Sequence, residues 1–369
     1  MSAKASGNRI FRNGTDVSGP FAAAPRRRPS TSIRKSAMAP RIAIVSTAHI
    51  HTIDYCKDIA RECGAPHVIW DDDEARGRSY AEKFNSRFEP DLGKVLADPA
   101  VDGFAVCSEN ARHTPLLRHV IPVGKPTFCE KPLAVDPAEA DEVAALVAKH
   151  GTPFTCGYIR AFTAPNRSSL AFAESGGLGT PHHWIYRNAH HGAYGRWFDN
   201  PDLKWFVDPA LSGGGAMMDI CTHGLHLLRL YAGPVAAVRA SVANLSGAWP
   251  QVEDWAMVEL RFASGAIGRV EGAWCFPAAP LGLEIVGSKR TLYRVGDEVV
   301  CRGPDEEPRP VPTVEGRPYR MGRLFALVRG ELSKDEIDRD LEAAVAAVHL
   351  MDAAFRSARG NGGWIEIKA

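Results

Sequence analysis

Between Arg41 and Tyr158 short apolar runs alternate with helical stretches: IAIV at 42–45, HVIW at 67–70, GFAVC at 103–107, PTFC at 126–129 and PFTC at 153–156, with helices such as 74–84 and 137–150 between them. Runs of this kind, without polar alternation, suit strands buried on both faces. Their alternation with helices implies a parallel sheet, because parallel neighbours need a crossover that covers the sheet. The helix at 137–150 is signalled at both ends, with Asp136 as N-cap, Pro137 in the first turn, acids early, Lys149 and His150 late, and Gly151 beyond. The expectation for 41–158 is a doubly wound α/β domain.

After Arg160 the texture changes. A helix at about 164–175 ends at Gly176-Gly177, and strands then dominate: HHWIYRN (182–188), AAVRASVANL (236–245), DWAMVELRFA (254–263), AIGRVEGAW (266–274) and LGLEIVGS (281–288). Their spacing and hairpin-like turns, such as ASG at 263–265, predict an α+β domain over 159–369 with a largely antiparallel open sheet. One helix near 215–231 interrupts it. A last helix, roughly 335–358, is expected to pack back on the first domain before the short closing strand WIEIK.

Charge narrows the partners. Residues 1–40 hold eight Lys/Arg against the single acid Asp16 and lack hydrophobic periodicity, so they are expected to form a disordered extension, with Met38 as an alternative start. The whole chain has a net charge of +1, which leaves the remainder slightly acidic and without an electrostatic footprint for nucleic acid. The eight cysteines form no C-x-x-C pair and read as reduced thiols of a cytoplasmic protein. No apolar run approaches the roughly 20 residues needed to cross a bilayer, so no membrane partner is expected.

Residues 41–56, RIAIVSTAHIHTIDYC, run from a strand through a polar loop into a helix, as a dinucleotide-binding turn does, yet the loop has no glycine. The three positions of G-x-G-x-x-G fall on Ser46, Ala48 and His51. Ser and Ala are small, and the helix N-terminus still offers amides to a pyrophosphate. An imidazole at the third position must turn outward to the ligand or push the helix away. Three readings of His49-Ile50-His51 stand: contact with the phosphates or nicotinamide, filling of a weakened site, or an H-x-H metal pair with His182, His183, His190 and His191 as sequence-distant candidates. The first is preferred, and no metal is expected. Asp71, 25 residues after Ser46, stands where the acid for the adenosine ribose belongs, and Asp72 and Asp73 disfavour a 2′-phosphate, so NAD is expected rather than NADP.

The most specific stretches are GKPTFCEKPLAVDPAEADEV at 124–143 and GGGAMMDICTHGLHLLRLYAG at 213–233, where Asp219 and His223 share one helix face. With Asp71, the segment Ser108-Glu-Asn110-Ala-Arg-His113, and the terminal helix and strand, they make the chain from Arg41 onward resemble the Gfo/Idh/MocA family: glucose-fructose oxidoreductase, inositol dehydrogenase and rhizopine-catabolism proteins. The resemblance implies an NAD-binding Rossmann domain and a second domain that binds substrate. It also implies a homodimer or homotetramer formed through the second sheet, and oxidation or reduction of a secondary alcohol or ketone on a sugar, sugar acid or cyclitol.

Carried over by position, Lys131 holds the reacting oxygen, Asp219 orients hydroxyls and His223 is the base, with Pro132 expected to be cis. A neutral imidazole suits that proton transfer near pH 7. The residues expected around the cofactor are Ser46, Ala48, His49, His51, Asp71, Ser108, Asn110, His113, Glu130 and Lys131. Around the substrate, Trp197 and Trp205 suit stacking on a sugar face, and Arg160, Arg187, Asn188 and Arg196 offer donors. Two other functions fit the same motifs: a lyase or glycoside-cleaving enzyme that oxidises its sugar transiently on tightly held NAD, and a non-catalytic sugar or nucleotide sensor.

Overall fold

The apolar runs become, in the computed structural model of the chain, a six-stranded parallel sheet. The structure describes residues 39–279 and 281–367, so all but the last two residues of the basic extension lie outside the described residues. The strands are β1 (Ile42–Val45), β2 (Val68–Trp70), β3 (Arg87–Phe88), β4 (Gly103–Val106), β5 (Thr127–Cys129) and β6 (Phe154–Cys156). The helices between them are α1 (Thr52–Cys63), α2 (Glu74–Lys83), α3 (Leu92–Ala97), α4 (His113–Val120) and α5 (Pro137–His150). In α5 the Asp136 carboxylate accepts from the amides of Ala138 and Glu139, and Gly151 closes the helix in the left-handed region at φ 63°.

Side chains along β1 alternate between two cores. Ile42 and Ile44 pack with Tyr55 and Ile59 of α1, whereas Ala43 and Val45 join Leu116, Leu117 and Val143. The strand order is β3-β2-β1-β4-β5-β6, so the sheet is built outward in both directions from the β1/β4 junction. The loops leaving β1 and β4 therefore flank the crevice where such sheets take their ligands.

The second half comprises α6 (Ala164–Glu174), β7 (Pro181–Ala189), the short α7 (Pro209–Ser212), α8 (Thr222–Ala232), β8 (Val235–Ala243), β9 (Trp255–Phe262), β10 (Ile267–Ala273), β11 (Gly282–Gly287), β12 (Thr291–Val295), β13 (Glu298–Arg302), β14 (Arg309–Pro310), α9 (Met321–Arg329), α10 (Lys334–Arg359) and β15 (Ile365–Glu366). Its nine strands run in the order β14-β13-β12-β11-β7-β10-β9-β8-β15. Every pair is antiparallel except β7 with β10. Strands β12 to β14 carry charges at alternate or terminal positions and end at an edge proline, which is why no apolar run announced them.

Two late helices return to the first sheet. Asp340 of α10 accepts from Thr155 of β6 at 2.9 Å, and His349 of α10 meets Asp141 of α5 at 2.9 Å. Met321, Leu324 and Phe325 of α9 share a core with Ile42, Ile44, Ala105 and Phe128. No helix among the described residues is long and apolar enough to cross a membrane.

Candidate active site

Lys131 follows β5, and its peptide bond to Pro132 is cis. His113 braces this turn from α4, with one ring nitrogen 2.7 Å from the Pro132 carbonyl oxygen and the other 3.3 Å from that of Ser108. The Lys131 ammonium, 2% exposed, donates to the Asp219 carboxylate at 2.6 Å and to its carbonyl at 3.2 Å. The other Asp219 carboxylate oxygen accepts from the Trp274 indole at 2.9 Å. Burial pushes the Asp219 carboxyl toward its neutral form, but Lys131 and His190, with the hydrogen bonds from Lys131 and Trp274, outweigh it and hold the group below the usual range.

Asp219 lies on a single π-helical turn, Met217–Cys221, that leads into α8 and puts His223 one turn further on. The glycines before it have separate reasons. Gly213 sits at φ 79°, and a Cβ on Gly215 would stand 2.0 Å from the Glu253 carbonyl oxygen. Glu253 also accepts the amides of Gly215 (2.8 Å) and Met217 (3.0 Å), so it fixes the start of the segment that carries Asp219. Gly215→Ala is expected to destabilise the protein by about 1–3 kcal/mol or more and to lower activity through displaced Asp219. Urea midpoints matching the unaltered chain would contradict this.

His223 is buried, its Nδ1 has no hydrogen-bond partner among the described residues, and its ring meets Tyr158 edge-on at 6.1 Å. Burial, then the charges of Lys131 and Arg160, hold its pKa well below the ordinary histidine value. The imidazole is therefore neutral at pH 7.

In the loop after β1, Ser46 takes φ 67°, so a residue with a Cβ makes the turn usually given to the first glycine. Thr47 donates its amide (2.7 Å) and hydroxyl (2.5 Å) to Asp71. The amide of Asp73 at 2.9 Å and two donors of Arg76 at 3.0 and 2.7 Å complete the shell of that carboxylate. Asp71 thus stands at the end of β2 with its oxygens engaged, and the ribose hydroxyls expected there must exchange with Arg76.

His51 turns outward from α1. Its Nδ1 is 3.0 Å from Glu130, whose other oxygen accepts from the Tyr55 hydroxyl. His49 is buried beside Trp205 and Phe206, with ring centroids at 5.8 and 5.4 Å, and its amide bonds the Cys107 carbonyl at 2.9 Å. Trp205 donates to the Ala48 carbonyl at 3.1 Å, so this indole lies on the loop rather than serving as a stacking face for a sugar.

The remaining candidates divide. Ser108 is fully buried and donates to its neighbour's carbonyl, and Asn110 donates to the Ser212 carbonyl at 2.9 Å. Arg160 reaches Asn188 at 3.5 Å, and Trp197 stacks on His190 at 4.6 Å. Arg187 is ion-paired at 2.6 Å with Glu271 on β10, within the second sheet, and Arg196 pairs with Asp199. Lys131, Asp219, His223, Glu130, His49 and His51 form the gathered set. Trp274, Glu253, Tyr55 and Arg76 escaped the sequence. Only Tyr55, one turn after His51 on α1, had a spacing that would have revealed it.

The site suits a polar ligand. Asn110 Oδ1 and His223 Nδ1 are both buried without a hydrogen-bond partner among the described residues, and they belong to the segments that bound the crevice.

Residues 42–158 match the profile described as oxidoreductase family, NAD-binding Rossmann fold, and 171–293 match the GFO/IDH/MocA C-terminal domain. A 1,5-anhydro-D-fructose reductase of Ensifer adhaerens is 27% identical over 232 residues, covering 62% of this chain and 67% of its own. An inositol 2-dehydrogenase of Acidothermus cellulolyticus is 28% identical over 252 residues, 66% and 69% of the two chains. Among solved structures, GenD2 from gentamicin A biosynthesis in complex with NAD has a TM-score of 0.71 at 26% identity, covering 91% of this chain and 99% of that one. An NAD+ complex of an inositol dehydrogenase homologue from Azotobacter vinelandii has a TM-score of 0.76 at 20% identity over 90% of this chain and 98% of that one, a likeness of fold.

Proposed function

Because the chain belongs to the GFO/IDH/MocA oxidoreductases, with an NAD-binding Rossmann fold as its first domain, we propose that it oxidises or reduces a secondary alcohol carbon of a cyclitol or sugar. The observation that carries this reading is the buried Lys131–Asp219–Trp274 chain with His223 one helical turn away. NAD, when bound, would supply the hydride acceptor, and the loops after β1 and β4, with Asp71 for the ribose, would hold it; Asp72, expected to repel a 2′-phosphate, is instead paired with Arg112 and Arg76.

The side chains do the rest. The His223 imidazole, kept neutral by its surroundings, takes the hydroxyl proton. The Lys131 ammonium donates to the same oxygen as negative charge gathers there. Asp219, held ionised, aims that ammonium and accepts from a neighbouring hydroxyl. Names of similar proteins support the substrate class, since they include inositol 2-dehydrogenases and an anhydrofructose reductase. The test is NAD reduction over a panel of cyclitols and sugars, with nucleotide binding followed by fluorescence. A protein that binds neither NAD nor NADP overturns the proposal.

The pH profile follows from the His223 environment. Because its pKa is lowered, the base stays unprotonated as pH falls through the ordinary histidine range, and kcat/KM holds its plateau there. The acidic decline comes only at lower pH. His223→Ala is expected to lose that limb together with about 10²–10⁴-fold of the rate, and an unchanged profile would remove the residue from the role.

Exposed apolar side chains on β8 and β10, Val242 and Ile267, support self-association through the second sheet. All eight cysteines are free, which supports a reducing, cytoplasmic setting.

A further inference from the structure

We propose that His49, His51 and Glu130 form a binding site for a divalent transition-metal ion in the loop that replaces the glycine fingerprint. The inference rests on the geometry of these residues and not on the hydride-transfer reading. Three observations carry it.

The first is placement. Glu130 Oε1 lies 3.0 Å from His51 Nδ1 and 3.7 Å from His49 Nδ1, and the three ligand atoms lie within 4.8 Å of one another. Bonds of roughly 2.0–2.2 Å in a tetrahedral shell set ligand atoms about 3.3–3.6 Å apart, so small side-chain rotations suffice. The amide of His51 donates to His49 Nδ1 at 3.2 Å, which places the lone pair on that atom, and an ion bound there takes the place of this bond. His49 Nε2 then carries the proton, and it is buried without a partner among the described residues.

The second is charge. Glu130 is fully buried, and its oxygens meet a phenol and an imidazole, neither of them a permanent cation. The adjacent Lys131 is paired with Asp219. The His51 and Tyr55 hydrogen bonds and the nearby Lys131 charge hold Glu130 ionised in spite of its burial, so its carboxylate is ready to take a cation at Oε1.

The third is rigidity. Tyr55 holds Glu130, the Cys107 carbonyl holds the His49 amide, and Trp205 bonds the Ala48 carbonyl from the other side. Trp205 and Phe206 cover His49, so His49 and Glu130 are held away from water, while His51, with its side chain 34% exposed, leaves the arrangement open on one side. A set of two imidazoles and one carboxylate favours zinc and its first-row neighbours over magnesium or calcium. It leaves one position for an oxygen ligand, as in sites that are not purely structural. His182, His183, His190 and His191 contribute nothing to the cluster.

The experiment uses the full chain purified without chelator. Metal content is measured by plasma mass spectrometry, and the chelator-treated protein is then titrated with Zn²⁺ and with Co²⁺, whose visible absorption reports a tetrahedral nitrogen/oxygen shell. One ion per chain is expected, with a rise in thermal midpoint on adding Zn²⁺. His49→Gln, His51→Gln and Glu130→Gln should each weaken uptake more than about tenfold, while His191→Gln binds as the unaltered chain does. If a variant fails to fold, the Co²⁺ spectrum of the unaltered chain still decides. Folded, chelator-treated protein that takes up neither ion overturns the proposal, as does unaltered uptake by the three variants.

Discussion

Lys131→Met is expected to lower kcat by about 10²–10³-fold or more while NAD affinity stays within a few-fold. The side chain is buried at the end of β5 with its ammonium 2.6 Å from Asp219, and methionine keeps its length without its charge. The reacting oxygen then loses its donor as negative charge develops. Asp219 loses the cation that most opposes its burial, keeps the Trp274 indole and the neighbouring His190, and shifts toward protonation. Lys131→Met combined with Asp219→Asn should recover stability without recovering turnover, because the leftover buried charge is gone and the donor is still missing. Single-turnover kinetics and NAD titration separate these effects. Lost NAD affinity with an intact chemical step would reassign the lysine to cofactor binding.

Arg323→Leu is expected to cost about 3–5 kcal/mol of stability, the usual consequence of stranding a buried carboxylate. Arg323 is 2% exposed and bonds Thr155 at 3.0 Å, Asp340 at 3.1 Å and Glu336 at 3.0 Å, with its guanidinium 4.2 Å over the Phe162 ring. These contacts tie α9, α10 and β6 together. Removing the guanidinium leaves Asp340 facing Thr155 and His226 in the interior. Arg323→Leu with Asp340→Leu should regain most of the loss. Urea unfolding of these three proteins and of Asp340→Leu alone measures this, and an Arg323→Leu variant within about 1 kcal/mol of the unaltered chain would show that water or another group already compensates Asp340.

Local signals were the legible part of this fold. The helix at 137–150 could be drawn from its sequence because its N-cap, proline and closing glycine act within a few residues. The helix at 321–329 could not, since its N-cap position is Arg320, with φ 54° and no side-chain capping bond. The same distinction runs through the site. Lys131, Asp219 and His223 stand in motifs, so they could be singled out. Trp274 meets Asp219 from the end of a strand 55 residues away, and no spacing rule connects them. Asp71 could be picked by its distance from the first strand, but its capture by Arg76 depends on how α2 leaves β2. The absence of glycine from the loop after β1 could be seen in the sequence. That His51 would point at Glu130, 79 residues later, required the sheet to be assembled first.

The packing of α9 against Ile42, Ile44, Ala105 and Phe128 has a consequence for how the chain is made. When the ribosome has released the six parallel strands, one face of their sheet is covered by α1 and α2 but lacks the part that α9 supplies, and that piece is synthesised more than 160 residues after β6. Until then those apolar side chains are exposed or held by a chaperone, and a nascent chain stalled anywhere in the second half presents them to other proteins. The order of synthesis and the order of burial therefore differ, so part of the oldest strand's cover is among the last pieces of the polypeptide to be made.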